Sequence, residues 1–169
     1  DDYQTKDRGK LGHEVQVRAD ARDRMVDLVH VGVGVSQVLP IVVQALLAPK
    51  NTVLIFEQPE LHLHPRVQTR IGDFFLSMTY LGKQCIIETH SEHLITRLRQ
   101  RSAGAPGNEV AESIMIYFVE KEDGQSEYRP VQINQYGVIE DWPAGFFDEG
   151  ADQAAELLRL GMDKRMKGG

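Results

Sequence analysis

The 169-residue sequence has a single cysteine, Cys85, so it cannot form an internal disulfide, and its cysteine usage suits a reducing cytosol. It has no apolar run approaching the roughly 18 residues of a bilayer-spanning helix. Residues 1–10 are polar and charged, which leaves no place there for a secretory signal. A cytoplasmic protein with no membrane partner is therefore expected. Basic residues are outnumbered, 19 Lys and Arg against 25 Asp and Glu, for a net charge of −6. That balance argues against a surface given over wholly to nucleic acid, although a local basic face stays open. No internal repeat is present. Most consequential, no G-x-x-x-x-G-K-[ST] phosphate loop occurs anywhere. The nearest candidate, Arg8-Gly9-Lys10, lacks both the spacing and a preceding strand. Without such a loop's backbone amides and lysine, the β- and γ-phosphates of a nucleotide have no cradle. What remains is an apolar share of 41%, ample for one domain or one lobe of a larger one. An opening at Asp1 without Met, and an ending in Lys-Gly-Gly, read as a fragment or a processed product.

Periodicity then orders the chain. Residues 1–12 read as an entry segment, and residues 13–19 alternate Val15 and Val17 with polar positions, the period of a half-buried strand. Residues 21–24 turn the chain into a second, more apolar strand over 25–31. Residues 36–47 carry Val38, Leu39, Val42, Val43, Leu46 and Leu47 at helical spacing, with Pro40 expected in the first turn, where its missing N–H is tolerated. Val53-Leu54-Ile55-Phe56 is an unbroken apolar run, the pattern of a strand buried on both faces of a parallel sheet. Pro65 starts a helix with Val67, Ile71, Phe74, Phe75 and Met78 on one side, ended by Gly82. Cys85-Ile86-Ile87 is a second short buried strand. Thr89 with Glu92 matches a capping box for a third helix through Leu94, Ile95 and Leu98. A third strand over 113–120, a hairpin partner over 127–133 and an amphipathic helix over 151–166 complete the order. Strand–helix–strand–helix–strand predicts an α/β sheet with parallel central strands.

Two segments carry the chemistry. Residues 52–65, TVLIFEQPELHLHP, end a buried strand in acidic residues, and carboxylates at that edge of an α/β sheet can hold Mg²⁺ or orient an attacking water. Residues 85–94, CIIETHSEHL, end another buried strand in Glu-Thr-His. A neutral His90 beside those carboxylates can hydrogen-bond a γ-phosphate or the attacking water.

Together and in this order the two segments resemble the P-loop ATPases of the ABC/SMC type, whose heads read strand–Asp-Glu-Pro, D-loop, helix, strand–Thr-His. Residues 31–40, VGVGVSQVLP, stand in the place of that family's signature motif, with Val33-Gly34-Val35-Ser36-Gln37 over Leu-Ser-Gly-Gly-Gln. The stretch EQPELHLHP is similar to a bacterial family of AAA-type ATPases related to OLD heads. The tail, Asn134 to Gly137 and DWPAGFFDE over 141–149, resembles that family's own C-terminal segment, so the likeness covers residues 31–149. The resemblance implies a P-loop NTPase-like C-terminal lobe over residues 1–120, with a family-specific hairpin and helix over 121–169 packed on it. It implies ATP and Mg²⁺ as cofactors, with Glu57 at the magnesium position. Gln58 replaces the family's catalytic Glu, and an amide can position water but cannot take its proton. Water is then positioned by Gln58 or activated by Glu60, and His90 senses the γ-phosphate. Gly34, Ser36 and Gln37 would face a partner subunit's ATP, and His62 and His64 would be D-loop residues at the dimer contact. An N-terminal lobe with the phosphate loop, earlier in the full-length protein, and a homodimer through the head are the implied partners, with DNA or a phage-defence effector as further ones. The alternative to hydrolysis is an ATP-gated interaction module in which Gln58 lets ATP hold a dimer closed.

Rival readings attach to the same residues. His62, His64, His90 and His93, with Glu57, Glu60 and Glu88, are zinc-ligand types. Arg97, Arg99 and Arg101, with Arg66 and Arg70, form either a phosphate-backbone patch or a solvated helix face. Trp142-Pro143 and Phe146-Phe147 form either local packing or an exposed aromatic platform.

Overall fold

The computed structural model describes residues 3–7, 9, 13–18, 24–27, 33–143, 145–147 and 149–167. The chain forms two compact units, Asp1–Arg97 and Leu98–Gly169.

In the first unit, β1 (Tyr3–Asp7), β2 (His13–Val17) and β3 (Val26–Asp27) form an antiparallel sheet in chain order. The entry segment is therefore partly a strand. Its amides pair with β2, and a side-chain ladder from Gln4 to Gln16 (2.7 Å) and from Gln16 to Asp27 (2.9 Å) runs across all three strands. Of the strand expected over 25–31, Val26–Asp27 is seen, and residues 28–31 lie outside the described residues, as do 21–23 of the expected turn.

Helix α1 (Val33–Leu47) begins three residues before the predicted start. Pro40 consequently sits in the helix interior, not in the first turn, and has no N–H to offer the carbonyl of Ser36. The far end of α1 is held by Lys83. This buried ammonium donates to the carbonyls of Ala45 (2.5 Å) and Leu46 (3.1 Å), the sign of charge that the C-terminal end of a helix favours.

Strands β4 (Val53–Glu57) and β5 (Gln84–Glu88) pair in parallel, Val53 opposite Gln84 through Glu57 opposite Glu88, and are linked by α2 (Pro65–Tyr80). A parallel pair needs such a crossover, and here the helix covers one face of the pair. Leu54 and Phe56 point to that face, where the Phe56 and Phe75 rings lie 5.1 Å apart and Ile71, Leu76 and Met78 complete the apolar layer. The opposite face differs from expectation. Val53, Ile55 and Ile86 are exposed, Ile55 by 70%. The unbroken apolar run is thus buried at alternate positions only. Helix α3 (Glu92–Gly104) follows β5. Its cap is Ser91 rather than Thr89: Ser91 Oγ accepts from Leu94 N at 3.1 Å, while Thr89 Oγ1 accepts from Ser91 N one step earlier. The hydroxyl nearest the first free amides takes the capping role. Arg97 clamps α3 to α2 through a two-pronged pair with Asp73 (2.8 and 2.7 Å).

In the second unit, a short helical turn, α4 (Glu109–Glu112), precedes β6 (Ile116–Glu122), so the strand predicted from 113 starts later. It pairs antiparallel with β7 (Gln125–Val131) across Asp123-Gly124, whose φ of +47° and +83° make the tight turn that suits a hairpin's twist. Helix α5 (Glu149–Lys167) ends the chain's described part. The aromatic segment is packed rather than displayed: Phe146 and Pro143 are buried, and the Phe146 ring meets those of Phe118, Trp142 and Phe147 at 5.5, 5.4 and 4.9 Å. The Trp142 indole N–H donates to the Phe146 carbonyl. Arg99 donates to the Gly137 carbonyl at 2.8 Å and lies over the Trp142 ring, which accounts for two signature features of the tail at once. With Arg97 and Arg99 so employed, the arginine run is not one open patch. No helix among the described residues is long and apolar enough to cross a membrane. The architecture is α/β, with a parallel strand pair and flanking helices.

Candidate functional site

The predicted chemistry gathers at the C-terminal ends of β4 and β5, where open α/β sheets bind ligands. Because Glu57 and Glu88 are partners in register, their carboxylates project from the same face at the same edge, both exposed. Like charges placed side by side on a sheet repel. A divalent cation between them would offset that, and one or two carboxylates plus phosphate oxygens is the oxygen set Mg²⁺ prefers. Glu88 is the site residue the sequence reading placed only among zinc ligands. The signal that could have found it is the matching position of Glu at the ends of VLIFE and CIIE.

From Glu57 the chain turns sharply. The Gln58 N–H still donates to the Glu88 carbonyl (2.9 Å), extending the ladder by one residue, and Gln58 then adopts φ +43°, a left-handed conformation uncommon for a side-chain-bearing residue. Two tight turns follow, Leu61 N to Gln58 O and Leu63 N to Glu60 O, both 3.0 Å, with His62 also left-handed at φ +60°. Residues so strained persist only where surrounding structure over-determines them, and they cluster at functional sites. Pro59, Glu60 and Leu63 are buried, whereas Leu61, His62 and His64 are exposed. His64 has a structural duty as well, since its Nδ1 accepts from Arg66 N at 3.2 Å and caps α2.

His90 stands at the same edge with its side chain 77% exposed, Nε2 lying 3.8 Å from Glu88 Oε1. Its backbone N–H donates to Glu60 Oε1 at 2.7 Å. Ser91, next along, donates to Gln68 Oε1 (2.6 Å), and Gln68 Nε2 donates to the Leu63 carbonyl (2.9 Å). Residues 58–64 and 89–91 are thereby tied at two points. The start of α1 meets the same turn: a Cβ on Gly34 would lie 3.2 Å from Leu63 Cδ2 and 3.4 Å from the His62 carbonyl, so only glycine fits without displacement. Ser36 Oγ donates to the Val33 carbonyl within its own turn, and Gln37 Oε1 is buried without a partner among the described residues.

Glu57, Gln58, Glu88 and His90 thus stand at one edge, Glu60 is buried in the turn that follows, His62 and His64 are exposed on that turn, and Gly34 meets the turn at His62 and Leu63. The zinc arrangement does not form: among the described residues, no three His, Cys, Asp or Glu side chains gather closely enough to hold a metal ion.

A family model described as "AAA domain, putative AbiEii toxin, Type IV TA system" matches residues 3–96, more than half of the chain. A second, described as "Protein of unknown function (DUF3696)", matches residues 111–157, which include the tail motif around Trp142. No curated protein matches the sequence. Among solved structures, one from work on ATP-driven dimerization and DNA-stimulated activation of SMC ATPases is 16% identical, with a TM-score of 0.54 over 94% of this chain and 82% of that one. An SMC head bound to the C-terminal winged-helix domain of ScpA is 15% identical, also with a TM-score of 0.54, over 78% of this chain and 37% of that one. At such identities the likeness establishes the fold, that of the P-loop NTPase heads of SMC proteins. The chain belongs to the AAA domain family described above.

Proposed function

We propose that this chain is the part of an ATP-binding and ATP-hydrolysing head that completes the nucleotide site and forms its dimer contact. The observation that supports this best is the meeting at one sheet edge of Glu57, Gln58, Glu88 and His90. Glu57, with Glu88 beside it, would hold Mg²⁺, which supplies charge neutralisation for a transferring phosphoryl group. Gln58, half-buried at the strand end, orients the attacking water through its amide. His90 projects its imidazole toward the space where the γ-phosphate would lie. The first turn of α1, which carries Gly34, Ser36 and Gln37, would approach the partner subunit's phosphates, with Gln37 Oε1 buried and Ser36 Oγ bonded to the Val33 carbonyl in this chain, and the exposed His62 and His64 would face the partner itself. The phosphate cradle comes from an N-terminal lobe outside these 169 residues, since the sequence has no such motif. Residues 1–120 are the lobe and residues 121–169 its family-specific addition. A dimer acting on DNA or on a defence effector is consistent with what the relatives' names describe of those proteins, and a cytoplasmic homodimer is the form proposed for this one.

The test is phosphate release and ATP-dependent dimerisation by the full-length protein. Turnover that is lost in Glu57→Ala, with a dimer formed only in the presence of ATP, is the expected result. A protein that dimerises on ATP without turnover would instead be the ATP-gated interaction module, with Gln58 as the reason. Failure to bind ATP at all would sink both.

A further inference from the structure

We infer that Glu60 is a positioning residue that fixes the backbone of His90, and not the base that activates water. The inference rests on the ATPase-head reading for its purpose, but its geometry stands on its own. A general base must come within hydrogen-bond reach of the water it deprotonates. Glu60 is only 7% exposed; its Oε1 is occupied by the His90 N–H at 2.7 Å, and its Oε2 is buried with no partner among the described residues. The carboxyl group is therefore buried and already engaged, whereas the His90 and Glu88 side chains are exposed.

What the group can do is hold two segments together. It sits between the strained Gln58 and His62, and the residue it grips carries the imidazole assigned to the γ-phosphate. The second tie, from Ser91 through Gln68 to the Leu63 carbonyl, fixes the other end of the same turn. A displacement of the 58–64 turn on contact with a second subunit at His62 or His64 would then pass to His90 through Glu60. The bond satisfies one of the two carboxyl oxygens, Oε1, at a place where an unpaired polar group is costly.

The experiment uses the full-length protein with three substitutions, reading hydrogen exchange at the His90 amide and steady-state phosphate release. Glu60→Gln retains an acceptor oxygen, so His90 protection and kcat should stay within a few-fold of wild type. Glu60→Ala removes it, so His90 exchange should quicken by about tenfold or more, the consequence of one lost hydrogen bond, and kcat should fall with little change in KM. Glu60→Met fills the space without an acceptor and should behave as Ala, which separates loss of the bond from loss of packing if the Ala protein does not fold. Abolished turnover in Glu60→Gln with unaltered His90 exchange would make Glu60 the base and overturn the proposal. Unaltered His90 exchange in both Glu60→Ala and Glu60→Met would overturn it too. If wild-type protein does not turn over ATP, the hydrolysis reading falls, and the exchange measurements alone decide the role of Glu60.

Discussion

The two faces of the β4–β5 pair have nearly the same apolar composition and very different surroundings. Leu54, Phe56, Cys85 and Ile87 share the face covered by α2, whereas Val53, Ile55 and Ile86 share the exposed face and lead at its edge to Glu57 and Glu88. The covered face anchors the framework, and the exposed one presents the carboxylates. The contrast teaches that apolar character in a strand states what can be buried, and that the elements present decide what is. It also makes the two faces separable by mutation.

The largest effect is expected from Phe75, the α2 ring that closes on Phe56 and is 3% exposed. Phe75→Ala removes the ring and leaves a cavity that flanking Ile71 and Leu76 only partly fill, a loss of about 3–5 kcal/mol in stability by urea unfolding. A loss under about 1 kcal/mol would mean that this face is not the core of the unit.

Cys85 gives an electrostatic view of the same covered face. Burial pushes its thiol pKa up, with the nearby Lys83 ammonium pulling weakly the other way. In the unfolded chain the thiol ionises near its ordinary value of about 8.5. Between that value and the raised folded one, the unfolded state binds fewer protons than the folded state, so stability falls as pH rises. Cys85→Ala should flatten this alkaline slope by an amount smaller than the loss at Phe75, read from unfolding curves between neutral and alkaline pH. A slope unchanged by the substitution would show that the thiol is not shielded in the folded state.

The order β4–α2–β5–α3 was legible in the sequence because local signals agree there: Pro65 at a helix start, Gly82 after its end, and apolar runs of strand length. The positions of Glu57, Gln58 and His90 at one edge followed from that order. Other features depend on partners that periodicity does not contain. Pro40 misled because the helix gains a turn at its N-terminal end, where Gly34 packs on Leu63. Thr89 and Ser91 both offer a hydroxyl with a plausible spacing, and Gln68, a residue of another helix, accompanies the choice of Ser91. Burial of Glu60 was hidden for the same reason: a carboxylate beside exposed histidines reads as a surface group until the His90 amide is known to lie over it.

The smallest effect is expected on the exposed face. Ile55 lies between Leu54 and Phe56 and shares their apolar character, yet its side chain meets solvent in this chain. Thr preserves the β-branch that suits an extended backbone, so Ile55→Thr alters polarity while leaving strand propensity nearly intact. Its effect on the stability of the 169-residue chain should fall within about 0.5 kcal/mol, as for other surface substitutions. Leu54→Thr in the adjacent position, on the covered face, supplies the control, because there the hydroxyl would be buried beside the Phe56–Phe75 pair without a partner and should cost at least about 1 kcal/mol. Equal losses at the two neighbouring positions would show that both faces of the strand are covered in solution, and the open face that leads to Glu57 and Glu88 would have to be abandoned.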